Sequence, residues 1–570
     1  MKSRSVRLLF LPFILASSAI ASSAEPAAMS ERFGEIPNPF RILADQWLDY
    51  PPAPAGYSLE FLRTADPGTA TMTLKEAIFV GLKNNPGIEV ERLEPFRAAE
   101  QTMIEKSILD PSLKFEFNKN YSITPAGIST SDFFQPVQTI DNRNYDLSLT
   151  KLLRSGAQLE LSFVNNRLEN SVPNQVLNPS YRPQFGVFLT QPLLRDFGWG
   201  LTTIFVRIDE NREGITLFGY EAKLAQLVQT ITEAYWGVVY ARDNLRVQQK
   251  GVELADALLR AAESRVRAGV LAPVAVIEAQ AEKARREELV IIAENDLAIT
   301  RTNLRLTLNL NPEKAFLPRS IEPSENPSVE PVQIHRSASL ESALTRRPEI
   351  LSAGLTVQNQ VLQSRYAENQ LLPRLDLKVG AGLTGIAGNL KCPPPLDPSV
   401  PCSPFPGDYS RSLDRLGSGD FYNYSVGVVL QIPLGNAQAR SKYAQARIEL
   451  EQAQARKRDL VAQITLEVER ALGDVEANFK RIQTTRRARE LAEENLRGQE
   501  RRFEVGLVTQ KDVIDFQSRL LDAQGAELRA ITDYNNSTSR LRLAEGTLLQ
   551  SYNVEVDGPK KKPEPWWARF

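Results

Sequence analysis

The chain carries nearly the same text twice, and that duplication limits its possible folds more than any single motif does. Around Arg265 it reads RVRAGVLAPVAVIEAQ and around Arg502 it reads RFEVGLVTQKDVIDFQ. Arg265/Arg502, Gly269/Gly506, Val276/Val513, Ile277/Ile514 and Gln280/Gln517 coincide at an offset of 237 residues. Earlier in each copy, FGVFLTQPLL from Phe185 matches VGVVLQIPLG from Val426 at an offset of 241, and Pro86/Pro111 match Pro348/Pro373 at 262. The matches fall in one order, so a whole unit is repeated. The falling offset locates extra length in the first copy: 21 residues (262 − 241) between Pro111 and Pro192, then 4 more (241 − 237) before the glycine. Repeats this long are supersecondary units that complete a structure only beside a neighbour, so one architecture built from two halves is expected.

Each copy contains a long stretch without proline. None of the 36 prolines lies between Leu193 and Ala272 or between Leu434 and Gly558, as suits long helices, whose interiors proline breaks. In the second stretch Val461, Ile464, Val468, Ala471, Val475, Phe479 and Ile482 recur at steps of three or four, a narrow coiled-coil seam. Its flanks are Glu, Gln, Arg and Lys, so the helices stay wet on more than one side. A helix from Ala437 to Val505 would span about 100 Å at ~1.5 Å per residue, and the first copy predicts its like from about Val206 to Ala268. Each breaks at Gly269 or Gly506 and returns towards Leu310 or Leu549, which predicts two antiparallel helical hairpins with their turns at one end.

Strand patterns precede the helices. Leu113, Phe115 and Phe117 alternate with polar residues, as do Tyr145, Leu147 and Leu149, then Leu159, Leu161 and Phe163, and in the second copy Leu375, Leu377 and Val379. Phe185, Val187 and Leu189 close the first copy; Tyr424, Val426, Val428, Leu430 and Ile432 close the second. Alternating segments of about ten residues are the pattern of strands with lipid on one face and water on the other. A soluble sheet would alternate likewise, but wet helices offer it no core. The first copy's excess coincides with the pair Tyr145–Leu152 and Ala157–Asn165 joined at Arg154-Ser155-Gly156, an added hairpin. Thr124–Arg143 and Thr384–Asp420 read as surface loops. Four to six strands cannot close a conducting barrel, so several chains are expected to share one.

The remaining features bound the function class. Lys2, Arg4 and Arg7 precede an apolar run from Leu8 and then small residues, the pattern of a secretory signal peptide. The expected organisation is a signal peptide over 1–24, a Pro-rich extension over 25–72, repeats over 73–320 and 321–553, and a tail over 554–570. Cys392 and Cys402, in CPPPLDPSVPC, are expected to form a disulfide in an oxidising compartment, with free thiols or a metal as alternatives. One histidine, His335, in a Pro- and Ser-rich connector leaves little for histidine chemistry, and a formal charge of −1 disfavours nucleic acid. Neither a nucleophile elbow nor a metal-ligand cluster is present; no cofactor and no enzymatic activity are expected.

The secretory address, the two copies of strands with paired long helices, and the glycine-centred motif together resemble the TolC family of outer membrane efflux and secretion channels. The resemblance runs from about Thr73 to Leu549. RRFEVGLVTQKDVIDFQ and SRVRAGVLAPVAVIEAQ carry it most specifically, helped by the openings TLKEAIFVGLKNNPGI at Thr73 and SLESALTRRPEI at Ser339. It implies a mixed α and β fold, internally duplicated, whose long antiparallel coiled-coil helices form a trimeric α-helical barrel joined to a shared transmembrane β-barrel. It implies a passive duct in the outer membrane, with its helical part in the periplasm. The partners would be two further copies, a periplasmic adaptor, an inner-membrane transporter and outer membrane lipid.

The resemblance also assigns sites. Gly269 and Gly506 correspond to the periplasmic tips where the adaptor docks, flanked by Arg265, Arg502, Val505, Leu507 and Val508. Asp512 and Asp515, six and nine residues after Gly506, occupy the positions of pore-facing aspartates at the constricted end; three copies would ring one aperture with carboxylates and favour cations. The first copy departs by having Ala275 at the first of these positions, with Glu278 at the second. Val508 departs from the polar gate-locking residue of some members. The competing reading is a periplasmic coiled-coil scaffold or adaptor without a membrane barrel.

Overall fold

The computed structural model describes residues 69–125, 137–171, 175–310, 320–391 and 405–559. The signal peptide, nearly all of the Pro-rich extension, Cys392 and Cys402, and most of the tail lie outside these. The first copy runs β1 (Thr69–Met72), α1 (Leu74–Asn84), α2 (Pro86–Lys106), β2 (Ser112–Pro125), β3 (Val137–Leu152), β4 (Gln158–Asn170), β5 (Leu177–Pro192), a short α3 (Trp199–Thr202), α4 (Ile204–Arg267) and α5 (Val274–Thr307). The second runs β6 (Ser320–Pro323), α6 (Arg336–Arg346), α7 (Pro348–Asn369), β7 (Arg374–Thr384), β8 (Ala387–Leu390), α8 (Tyr409–Ser418), β9 (Tyr422–Gln431), α9 (Ala437–Glu504), α10 (Gln510–Ala544) and α11 (Leu548–Ser551).

The offsets in the sequence map these elements onto one another: β7 onto β2 and β9 onto β5. The hairpin β3–β4 therefore occupies the extra length of the first copy, and its turn falls at the expected Arg154-Ser155-Gly156, with Gly156 at φ 85°. Pro86 and Pro348 both open a helix at its first turn, where a missing N–H costs nothing and φ is already set. His335 sits exposed at the start of α6.

The proline-free stretches are unbroken helices, α4 of 64 residues and α9 of 68. Each folds back on a partner, α4 on α5 and α9 on α10, with a core only one seam wide. Ile464, Val468, Ala471, Val475 and Ile482 of α9 are buried against Ala530, Tyr534 and Leu541 of α10, while Val461 and Phe479 pack at the margin. The predicted stripe and the observed seam are the same residues. β1 and β6 pair in parallel, bringing the start of the first copy to the start of the second. Fully buried Tyr235 ties this pair to α4: its hydroxyl donates to Met72 O at 3.1 Å and accepts from Glu325 N at 3.2 Å.

The other strands form one sheet in the order β2-β3-β4-β5-β7-β9, with β8 added to the far end of β5. The described pairings of this sheet are antiparallel and the main ladder is continuous, so side chains sort cleanly into two faces. One face carries in-register apolar rows, such as Phe115, Leu147, Phe163, Phe185, Leu383 and Tyr422. The other face carries Glu116, Asp146, Ser162, Gln184 and Asn423, with Phe188 lying over Gly186 and Gly380, where a Cβ would come within 2.6 and 2.8 Å of its ring. Two expected loops are partly structured: β3 begins at Val137, inside the expected loop 124–143, and Thr384–Asp420 contains β8 and α8.

Candidate functional site

The helical tips are built the same way in both copies. Arg265 O and Arg502 O, two residues before the last residue of each helix, accept from Val270 N and Leu507 N at 2.9 Å, while Gly269 N and Gly506 N donate to Val266 O and Phe503 O. These are Schellman closures, and both glycines hold the left-handed conformation they require, φ 74° and 79°. Among the described residues, nothing beyond the adjoining chain lies within 4 Å of a Cβ built on either glycine, so backbone geometry alone demands glycine here. The turns push apolar side chains into solvent: Val270, Val505 and Leu507 are 71%, 70% and 75% exposed. Arg502 is exposed, and Val508 is half-buried against the cluster of Leu258, Leu496, Phe503, Val513 and Leu520.

Arg265 behaves differently from Arg502. Its guanidinium crosses to the other hairpin, donates to Phe503 O at 2.8 Å and stacks over the Phe503 ring at 4.2 Å. Two further bonds join the hairpins nearby. Buried Gln510 donates from Nε2 to Ala275 O at 3.0 Å. Arg286, ion-paired with Glu282 at 2.6 Å, donates to Ser518 Oγ, and Gly251 leaves room for it beside Leu521. Phe503, Gln510 and Arg286 were not anticipated from the sequence. Only the departure of residue 503 from its counterpart Val266 hinted that one arginine had an aromatic partner.

Asp512 and Asp515 share the first two turns of α10, and only Asp515 is exposed. Asp512 closes a capping box: its Oδ2 accepts from Thr509 N at 2.8 Å and from the Thr509 hydroxyl at 2.6 Å, while Thr509 Oγ1 accepts from Asp512 N. The first copy has Ala272 and Ala275 at the positions of Thr509 and Asp512, so cap and acid are missing together, and α5 follows Pro273 without a side-chain cap. Asp512 therefore has a local role, closing the first turn of α10. The Thr509 hydroxyl and amide hold its carboxyl below the usual range. A depressed folded pKa means stabilisation present above the unfolded value and lost as pH falls through the folded one. Amide protection of the first turn of α10, followed by hydrogen exchange, should therefore drop as the solution is acidified below that range. Asp512→Asn should be weakly protected throughout; a wild-type profile without pH dependence would remove the carboxylate from the cap.

Residues 81–310 and 339–547 match the family model described as outer membrane efflux protein, two matches that reproduce the duplication. The outer membrane protein TolC of Escherichia coli strain K12 is 24% identical over 386 residues, spanning 66% of this chain and 71% of that protein. The TolC of Vibrio cholerae is 25% identical over 359 residues, 60% of this chain and 72% of the other. Among solved structures, the Campylobacter jejuni CmeC outer membrane channel superposes with a TM-score of 0.56 at 15% identity, covering 83% of this chain and 86% of that one.

Proposed function

This chain belongs to the outer membrane efflux protein family, and we propose from that premise that it is the exit duct for an inner-membrane transporter coupled to it by a periplasmic adaptor. It is an outer membrane channel protein with its helical part in the periplasm, related to channels rather than to enzymes. The observation that carries the finer reading is the open sheet. Its edge strands β2 and β9 each lack a partner on one side among the described residues. Their outward side chains are exposed, Phe115 at 68% and Tyr424 at 78%. A long apolar edge is an aggregation hazard unless another strand covers it. Three copies joined β9 to β2 would close a ring of about eighteen strands, wide enough to leave an aqueous lumen. The apolar face then meets lipid and the polar face lines the lumen. A second seam on α5, with Ile277, Ile291, Ile299 and Leu306 all at least 49% exposed at spacings of seven, eight or fourteen, supports packing against a neighbouring copy below the barrel.

Within that assembly the glycine turns are the adaptor-facing tips, with Val505 and Leu507 as apolar contacts beside Arg502. Asp512 and Asp515 ring the aperture at the constricted end. Cargo choice belongs to the transporter, and both solute efflux and protein secretion suit such a duct. Replacing Asp512 and Asp515 together by alanine should raise single-channel conductance and weaken block by multivalent cations. Thr509→Val separates the two roles of Asp512, since it removes the threonine hydroxyl from the cap and keeps the carboxylates. Conductance and block unchanged in the double alanine variant would remove both aspartates from the aperture.

A further inference from the structure

Beyond the apolar rows, at the end of the sheet away from the helices, the outward face turns to charge. Lys119, Arg143 and Arg167 stand directly opposite one another across β2, β3 and β4. They lie one outward position beyond the row of Phe117, Tyr145 and Asn165, about 7 Å along the strands. Like charges directly opposed across strands destabilise a sheet, so three in a row need an explanation. The neighbouring outward positions supply only two carboxylates. Asp141 pairs with Arg143 through Nε at 3.2 Å and Nη2 at 2.7 Å, and Glu169 pairs with Arg167 at 2.7 Å. Lys119 is exposed, and the row keeps one net positive charge.

The helix α8 walls the row at its β5 side. Tyr409 accepts from Asn165 Nδ2 at 3.0 Å and stacks against Tyr181 at 6.0 Å, both on the outward face. Ser412 is wholly buried over Gly385, where a Cβ would lie 2.0 Å from Ser412 O. Asp408 caps the helix at Arg411 N, and Gly419, at φ 77°, ends it. The charged row is thus fixed in a corner, immediately beyond apolar rows that meet the hydrocarbon of the outer membrane.

We propose that the row Lys119, Arg143 and Arg167, with α8 beside it, binds phosphate groups of lipid headgroups in the outward-facing leaflet. This rests on the barrel reading above, because only a sheet whose apolar face meets lipid sets the row at headgroup depth. Arg143 spends Nε and Nη2 on Asp141 and keeps Nη1 for a second acceptor, and Lys119 offers an ammonium beside it. A phosphate between them would relieve the repulsion along the row.

The test reconstitutes the full chain in phosphatidylcholine vesicles containing phosphatidic acid. After re-extraction in detergent, the ratio of phosphatidic acid to phosphatidylcholine retained is read by mass spectrometry. Wild type should enrich the phosphate lipid, less so at high salt. Lys119→Gln, or Lys119→Gln with Asp141→Asn and Arg143→Gln so that no carboxylate is orphaned, should lose enrichment about fivefold for the one net charge removed. Lys119→Arg should retain it. Equal enrichment in wild type and the glutamine variants, or none in wild type, overturns the proposal. A wild-type chain that never enters the vesicles overturns the barrel reading and this inference with it.

Discussion

Replacing Gly506 by valine should cut export sharply while leaving assembled protein in the outer membrane. The turn holds Gly506 at φ 79° with nothing among the described residues beyond the adjoining chain within 4 Å of a built Cβ, so the substitution acts through the backbone and not through packing. Forcing a side chain into the left-handed region costs about 1–2 kcal/mol, small beside a fold stabilised along two long hairpins. It lowers the equilibrium constant for the native turn against other local arrangements about five- to thirtyfold. Since Val505 and Leu507 are presented by that turn, adaptor engagement should fall as the turn is lost. Cargo export and the heat-resistant oligomer are measured together in cells carrying the variant. Lost export with the oligomer retained supports docking at the tip; loss of the oligomer would make the glycine a folding residue instead.

The second large effect distinguishes the two faces of the sheet. Leu161 lies on the apolar face between Leu149 and Val187, and Glu160 on the opposite face between Thr150 and Phe188. Arginine on the lipid face of a barrel costs about 2–4 kcal/mol near the bilayer midplane, whereas lumen changes mainly tune selectivity. Leu161→Arg should therefore deplete the protein from the outer membrane fraction. Glu160→Arg should assemble normally and shift ion selectivity towards anions. Equal tolerance of both changes would mean that the apolar face does not meet lipid.

Much of this architecture was legible because the physics is periodic. The seam from Val461 to Ile482 repeats at the helical period, and the strands facing apolar rows alternate at period two. The glycine turns are marked twice at one offset. What the sequence hid lies where period fails. The outer half of β3 carries Asp141 and Arg143 on one face and Asn142 and Asn144 on the other; with both faces polar there is no alternation to find, and the segment reads as loop. The helix α8 is ten residues long in a Ser-, Asp- and Gly-rich stretch. Its only signals are its ends, the Asp408 cap and Gly419, with Leu413 and Leu416 between. The capping box of α10 is written plainly as Thr509 followed three residues later by Asp512; the resemblance assigns the carboxylate to an aperture and leaves the cap unassigned. Contacts between the hairpins, Arg265 on Phe503 and Gln510 on Ala275, join residues more than 230 positions apart. No local pattern encodes such a pairing; it follows from the packing of the two copies.

In the proposed assembly, copies of this chain close their open sheets into one conducting barrel. The most direct test is to extract the protein from the outer membrane fraction in detergent, determine its subunit number, and record single channels across a planar lipid bilayer. The expected result is a trimer that forms discrete, cation-selective pores. A protein that remains soluble without detergent and never conducts would contradict the barrel and favour a periplasmic helical scaffold.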